Sequence, residues 1–138
     1  MKYLFDSNPL IYFLNSTLPI IGDHLISMGL RDGAAYSIIT RIEVLGFPMS
    51  PEKTQAARRL LGGLTEIGLT EPILRRTIAL RQQHRRLKIP DAIIAATAIE
   101  FALPLVTRNM ADFSAIAKLH IIDPFHGEGT DGHSTETA

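Results

Sequence analysis

Residues 88–113 read KIPDAIIAATAIEFALPLVTRNMADF. Pro90 and Asp91 open a strongly apolar helix, AIIAATAIEFA, because proline suits the first helical turn and an acid there complements the helix dipole. A strand over 105–107 follows, then a short helix over 112–117. The strand is a continuous apolar run rather than an in–out alternation, so it belongs inside a sheet covered on both faces. Asp112 stands just beyond its carboxyl end.

The same pattern repeats outward from this stretch. KYLFD at 2–6 is a first buried strand that stops at Asp6. Asn8 and Pro9 are the expected cap and first turn of the helix that follows. A second helix is expected from about Pro19 to Leu30, and a second strand over 34–38. Thr40 then caps a helix that carries Glu43 and stops near Gly46 and Pro48. Ser50-Pro51 opens a helix ended by Gly62 and Gly63, and 66–69 is a short strand candidate. From Glu71-Pro72 a helix reaches about Leu87, and a last strand falls on 119–122. Strands alternating with helices predict an α/β, doubly wound, mostly parallel central sheet flanked by helices on both faces. No repeat or linker divides the chain, so one domain is expected over residues 1–125. The segment 126–138, HGEGTDGHSTETA, has no apolar periodicity and is expected to be a disordered tail.

Composition narrows the function. The chain has 138 residues, 46% of them apolar, which suits one self-sufficient core. Without cysteine there is no disulfide framework, thiolate metal site or cysteine nucleophile. Fourteen basic and fourteen acidic residues balance, so any nucleic-acid contact must come from a local patch. No apolar run approaches the ~20 residues of a membrane span, and the acid at position 6 argues against a signal peptide. A soluble, cytoplasmic protein is the expectation.

Acids recur where a doubly wound sheet binds its ligands, beyond the carboxyl ends of its strands. Asp6 ends strand one, Glu43 lies one turn after strand two, Asp91 opens the apolar helix and Asp112 follows strand four. Taken singly each has a blander role: Asp6 a polar strand terminus, Glu43 an exposed helix charge, Asp91 and Asp112 helix caps. Gathered at one edge, four carboxylates repel and raise one another's pKa unless a counter-charge is present. Mg²⁺ or Mn²⁺, hard cations that take oxygen ligands, would supply it and support phosphoryl chemistry.

MKYLFDSNPLIYFL, SIITRIEVLGFP and KIPDAIIAATAIEFALPLVTRNMADF resemble the three signature blocks of PIN-domain ribonucleases, and among them the VapC toxins of bacterial and archaeal toxin–antitoxin pairs. The resemblance runs to about Pro124. It places the family's four acids on Asp6, Glu43, Asp91 and Asp112, as catalytic and metal-holding residues. Ser7 keeps the hydroxyl that is usually threonine there, and Thr107 and Asn109 fall on the family's polar positions before the last acid. These three would orient carboxylates or water; turn chemistry is their plainer role. The resemblance implies a Mg²⁺- or Mn²⁺-dependent endoribonuclease in which metal-activated water attacks a phosphodiester. It also implies structured RNA such as tRNA as substrate, a VapB-like antitoxin as inhibitor, and a homodimer.

Charge is unevenly spread. Between Pro72 and Pro90 stand Arg75, Arg76, Arg81, Arg85, Arg86 and Lys88, with no acid. This run leads into Asp91, which makes Arg85, Arg86 and Lys88 candidate phosphate contacts. Arg41 and Arg108 are further candidates, each equally able to pair with a site carboxylate. The early helices are rich in apolar residues, including Ile11, Tyr12, Phe13, Ile20 and Ile21, part of which could be left as a partner groove. Two other readings compete. A phospho-acceptor receiver domain would need adjacent acids after strand one, where Ser7-Asn8 stand instead. A PIN-fold RNA-binding or protein-interaction module without nuclease activity would be expected to have lost acids, yet all four positions keep them.

Overall fold

In the computed structural model, residues 1–127 and 129–131 are described. Strands β1 (Leu4–Phe5), β2 (Ala35–Ser37), β3 (Thr65–Ile67), β4 (Leu105–Val106) and β5 (His120–Ile122) are parallel and ordered β3-β2-β1-β4-β5. A sixth, β6 (Gly129–Asp131), pairs antiparallel with β5. Within the segment expected to be a disordered tail, Gly129 lies opposite Ile122 and Asp131 opposite His120. The remainder of that segment, residue 128 and residues 132–138, lies outside the described residues.

Because strand side chains alternate between faces, each two-residue strand feeds both halves of the core. Leu4, Ala35, Leu105 and Ile121 face helices α5 (Glu71–Gln83), α6 (Ile89–Glu100) and α7 (Met110–Phe113), packing with Ile73, Leu80, Ile94 and Phe113. Phe5, Tyr36, Val106 and Ile122 face α1 (Ser7–Leu14), α2 (Ile20–Asp32), α3 (Ile38–Leu45) and α4 (Pro51–Gly62). Gly29 lets α2 lie directly on β1: a Cβ there would stand 2.7 Å from the Phe5 ring. The predicted α/β sheet with both faces covered is the observed fold. No helix among the described residues is long and apolar enough to cross a membrane.

Several boundaries differ from the sequence reading, each for a local reason. Asp6, not Asn8, caps α1, accepting from the Ser7 amide. Ser37, not Thr40, caps α3, accepting from the Ile39 amide; Thr40 lies inside the helix, fully buried. Helix α5 stops at Gln83 rather than near Leu87. His84 turns extended there, Leu87 drops into the core, and its carbonyl accepts from Arg81 Nε at 3.1 Å. That early stop creates a turn over residues 84–88. Helix α7 spans Met110–Phe113 rather than 112–117.

Candidate active site

The strand order reverses between β1 and β4, and in open α/β sheets such a switch point opens a crevice at the carboxyl ends. Asp6 leaves β1 at that point and Thr107 leaves β4. The Thr107 hydroxyl donates to Asp6 Oδ2 at 2.8 Å, while the Ser7 amide donates to Asp6 Oδ1 at 2.8 Å. Both Asp6 and Thr107 are buried. The Asn109 amide donates to Thr107 Oγ1 at 2.9 Å, and Asn109 Nδ2 donates to Asp112 Oδ2 at 2.9 Å. Ser7 Oγ donates to Glu43 Oε1 at 2.9 Å, tying α1 to α3. Ser7, Thr107 and Asn109 therefore each hold one of the candidate acids.

Electrostatics link these side chains. Burial pushes the Asp6 carboxyl above its ordinary range, and the nearby Glu43 charge adds to this; hydrogen bonds from Thr107 and Ser7 oppose it. Asp91 is also raised, chiefly by burial, then by the charges of Asp6 and Asp112, with Lys88 opposing. Asp6 thus feels the charge of Glu43, and Asp91 those of Asp6 and Asp112. The helix-cap roles fail for two of them. Asp91 lies in the first turn of α6 behind Lys88 and makes no side-chain hydrogen bond among the described residues, and Asp112 lies within α7 with Asn109 at its cap position. Asp6 combines both roles, capping α1 while facing the crevice.

These residues fit a divalent cation in one particular way. Asp6 is buried against neutral donors only, and among the described residues none of the four acids is ion-paired to lysine or arginine. A dication would offset that uncompensated charge. Among the described residues no three acids or histidines converge into a ready-made ligand set. The fit is therefore to an ion held by one or two carboxylates with water completing its shell, as magnesium prefers.

The cations of the α5–α6 region divide into two groups. Arg75 pairs with Glu71, Arg76 with Glu100, and Arg81 with the Leu87 carbonyl. Arg85, Arg86 and Lys88 are exposed and form no ion pair or side-chain hydrogen bond among the described residues. Arg41 pairs with Glu66, away from the acids. Arg108 pairs with neither a site acid nor open solvent alone: Nη1 donates to Asp123 Oδ1 and Oδ2 at 3.2 and 3.3 Å, and its guanidinium stacks 3.8 Å from the Phe125 ring centre. Its guanidinium is thus engaged with Asp123 and Phe125 rather than with a site acid. Sequence reasoning missed Asp123 and Asn8. Asp123 follows the last parallel strand as Asp6 follows the first, a readable signal; Asn8 Oδ1 accepts from the Arg108 amide at 3.1 Å, a contact across 100 positions.

Comparison with known proteins agrees with this geometry. A family model of the PIN domain matches residues 3–119. A chain of a toxin–antitoxin complex from Klebsiella pneumoniae is 33% identical, with 90% of this chain and 98% of that chain covered and a TM-score of 0.72. VapBC-1 from nontypeable Haemophilus influenzae matches at 25% identity over 90% and 98% of the two chains, with a TM-score of 0.72. DNA-bound VapBC from Salmonella typhimurium, 21% identical over 90% and 98%, shares the fold at a TM-score of 0.78. No curated protein sequence matches significantly. The chain belongs to the PIN-domain family. Within it the chain is VapC-like, similar over nearly its whole length to chains of VapBC complexes.

Proposed function

We propose that this protein is the toxin of a VapBC-type pair, a Mg²⁺- or Mn²⁺-dependent endoribonuclease that acts in the cytoplasm on tRNA or another structured RNA. The observation that carries the reading is that Asp6, buried at the sheet's switch point, and Asp91 are both pushed up, first by burial and then by neighbouring acids (Glu43 for Asp6, Asp6 and Asp112 for Asp91), with no ion-paired cation among the described residues. A bound dication would activate water and offset charge developing on the phosphate oxygens. One or two of Asp6, Asp91 and Asp112 would hold it directly, with the remaining acids, Glu43 among them, reaching it through water. Thr107 and the Ser7 amide fix both Asp6 oxygens, Ser7 Oγ orients Glu43, and Asn109 orients Asp112. Arg85, Arg86 and Lys88 would bind phosphates along the strand.

A VapB-like antitoxin and a second copy of the chain are the proposed partners, supported by the toxin–antitoxin complexes it resembles. Exposed apolar side chains remain on α2 (Ile20, Ile21) and near α5 and α6 (Leu74, Ile78, Ile89). The absence of a ready-made three-acid set among the described residues favours a second reading, a binding module without nuclease activity. Cleavage of a tRNA pool by wild type and Asp91→Asn, each with Mg²⁺, Mn²⁺ and EDTA, separates them. Cutting by wild type alone, abolished by EDTA, supports the nuclease; RNA or antitoxin binding by both without cutting supports the module; equal cutting by both refutes the assigned role of Asp91.

A further inference from the structure

A cavity of about 390 Å³ opens beside Asp112, lined by His84, Arg85, Arg86, Leu87, Ala111 and Ala115. It exists because α5 stops at Gln83, so that the turn over 84–88 stands across from α7. Its walls are of three kinds. Leu87 is buried, and Ala111 and Ala115 are small and exposed, giving an apolar floor with open space above. His84 and the two guanidiniums offer flat, delocalised faces. Arg85 and Arg86 are also cationic side chains of the 72–90 run left without an ion-pair partner among the described residues, whereas Arg75 and Arg76 are neutralised by Glu71 and Glu100. The larger cavity between α5 and α6, about 630 Å³ and lined by Leu69, Leu74, Ile78 and Ile89, touches none of the four acids.

Single-stranded RNA is read by splaying a base onto a flat side chain while its phosphate meets a cation. An apolar floor, planar groups and unpaired guanidiniums around one small hollow are the parts this needs. Asp112 forms part of the wall, so the occupant adjoins the reacting phosphate rather than a distant stretch of strand. We propose that this cavity seats the nucleotide immediately flanking the scissile phosphate and sets the cleavage preference at that position. The proposal rests on the nuclease reading above and adds to it a location for base discrimination, with Ala115 and Ala111 as the residues whose small size keeps the seat open.

The test fills the seat without touching a charge. Ala115→Phe places a ring over the floor at an exposed site, and Ala117→Phe adds the same bulk nearby but outside the cavity. Both variants and wild type are incubated with a randomised RNA pool and Mn²⁺, and the cut ends are sequenced. The same three proteins are titrated by fluorescence anisotropy with a short single-stranded RNA in EDTA. The expected result is a base preference at one flanking position, shared by wild type and Ala117→Phe and lost or changed in Ala115→Phe, which still cuts. In the titration Ala115→Phe should bind about tenfold more weakly than Ala117→Phe, as expected when one base no longer stacks. An unchanged preference in Ala115→Phe, or none in wild type, overturns the seat while leaving the nuclease standing. If no protein cuts, the nuclease reading fails and the cleavage preference falls with it; the titration then decides only whether the cavity seats a base, and equal binding by the two variants overturns that as well.

Discussion

The Thr107 hydroxyl and the Asp6 carboxylate meet at 2.8 Å across the junction of β4 and β1, buried from solvent and 101 positions apart in the chain. Thr107 also accepts from the Asn109 amide, so its proton is directed at Asp6 rather than free to rotate. This one hydrogen bond opposes the burial that raises the Asp6 pKa. Replacing the hydroxyl by a methyl in Thr107→Val keeps the volume and removes the donor. The Asp6 pKa should rise further, so the acid limb of the cleavage pH profile moves to higher pH. Activity at neutral pH should fall about 10- to 100-fold, as for other groups that orient metal ligands. Thr107→Ser should retain most of it. An unmoved acid limb in Thr107→Val would disconnect this bond from catalysis.

Raised carboxylates also make a stability prediction. A folded pKa above the unfolded one means the native state binds more protons, so stability falls as pH rises through the folded pKa. Asp6 and Asp91 are both raised, so in metal-free protein each costs stability at neutral pH and little near pH 4. Asp6→Asn and Asp91→Asn should therefore melt higher than wild type at pH 7.5 in EDTA, with the advantage shrinking on acidification. Adding Mn²⁺ should raise the melting temperature of wild type and leave Asp6→Asn almost unmoved. Thermal melts at both pH values, with and without metal, check this.

The contrast between Asp6 and Asp123 shows what was legible beforehand. Asp6, Glu43, Asp91 and Asp112 stand at the ends of recognisable elements, so the strand–helix alternation alone brings them to one edge. The alternation itself was legible because each strand is a short apolar run. Helix ends were harder, because several residues compete for each cap: Asp6 and Asn8 lie two apart, Ser37 and Thr40 three apart, and tertiary packing decides between them. The partners of arginines were beyond reach for the same reason. Nothing local distinguishes Arg76, which finds Glu100, from Arg86, which finds no ion-pair partner among the described residues.

Asp123 accepts from Arg108 through both oxygens and from the Phe125 amide at 2.9 Å, while Phe125 meets Tyr12 edge-on with ring centres 5.6 Å apart. The Arg108 amide is held by Asn8, and the residues either side of Arg108 are Thr107 and Asn109. Asp123→Ala should loosen that turn. We expect a destabilisation of about 1–2 kcal/mol, toward the low end for a pair whose arginine is partly solvated. The turnover rate should fall about tenfold with little change in KM, because the proposed RNA contacts Arg85, Arg86 and Lys88 are untouched while Thr107 and Asn109, which orient Asp6 and Asp112, are loosened. Measured at a temperature where the variant is fully folded, an unchanged turnover rate would reduce Asp123 to a structural role.

Thr40 is fully buried, and its hydroxyl lacks a hydrogen-bond partner among the described residues. An unsatisfied buried polar group costs about 1–3 kcal/mol, and an apolar isostere removes that cost. Thr40→Val should thus stabilise the protein by about 1 kcal/mol, or raise its melting temperature by about 3 °C. A lower melting temperature would mean that the hydroxyl has a partner, such as a bound water.

Salt dependence distinguishes the cations that bind RNA from those that hold α5 in place. Removing one phosphate-binding cation should reduce the slope of log affinity against log salt by about one. Arg86→Ala removes an unpaired cation beside the acids, so it should weaken RNA binding and flatten that slope. Arg76→Ala removes a cation already neutralised by Glu100 at 2.5 Å, so its slope should match wild type even if the protein melts slightly lower. Both are measured on the Asp91→Asn background, where RNA survives the titration. Equal slopes for the two variants would show that the unpaired turn over 84–88 is not the surface along which the strand runs.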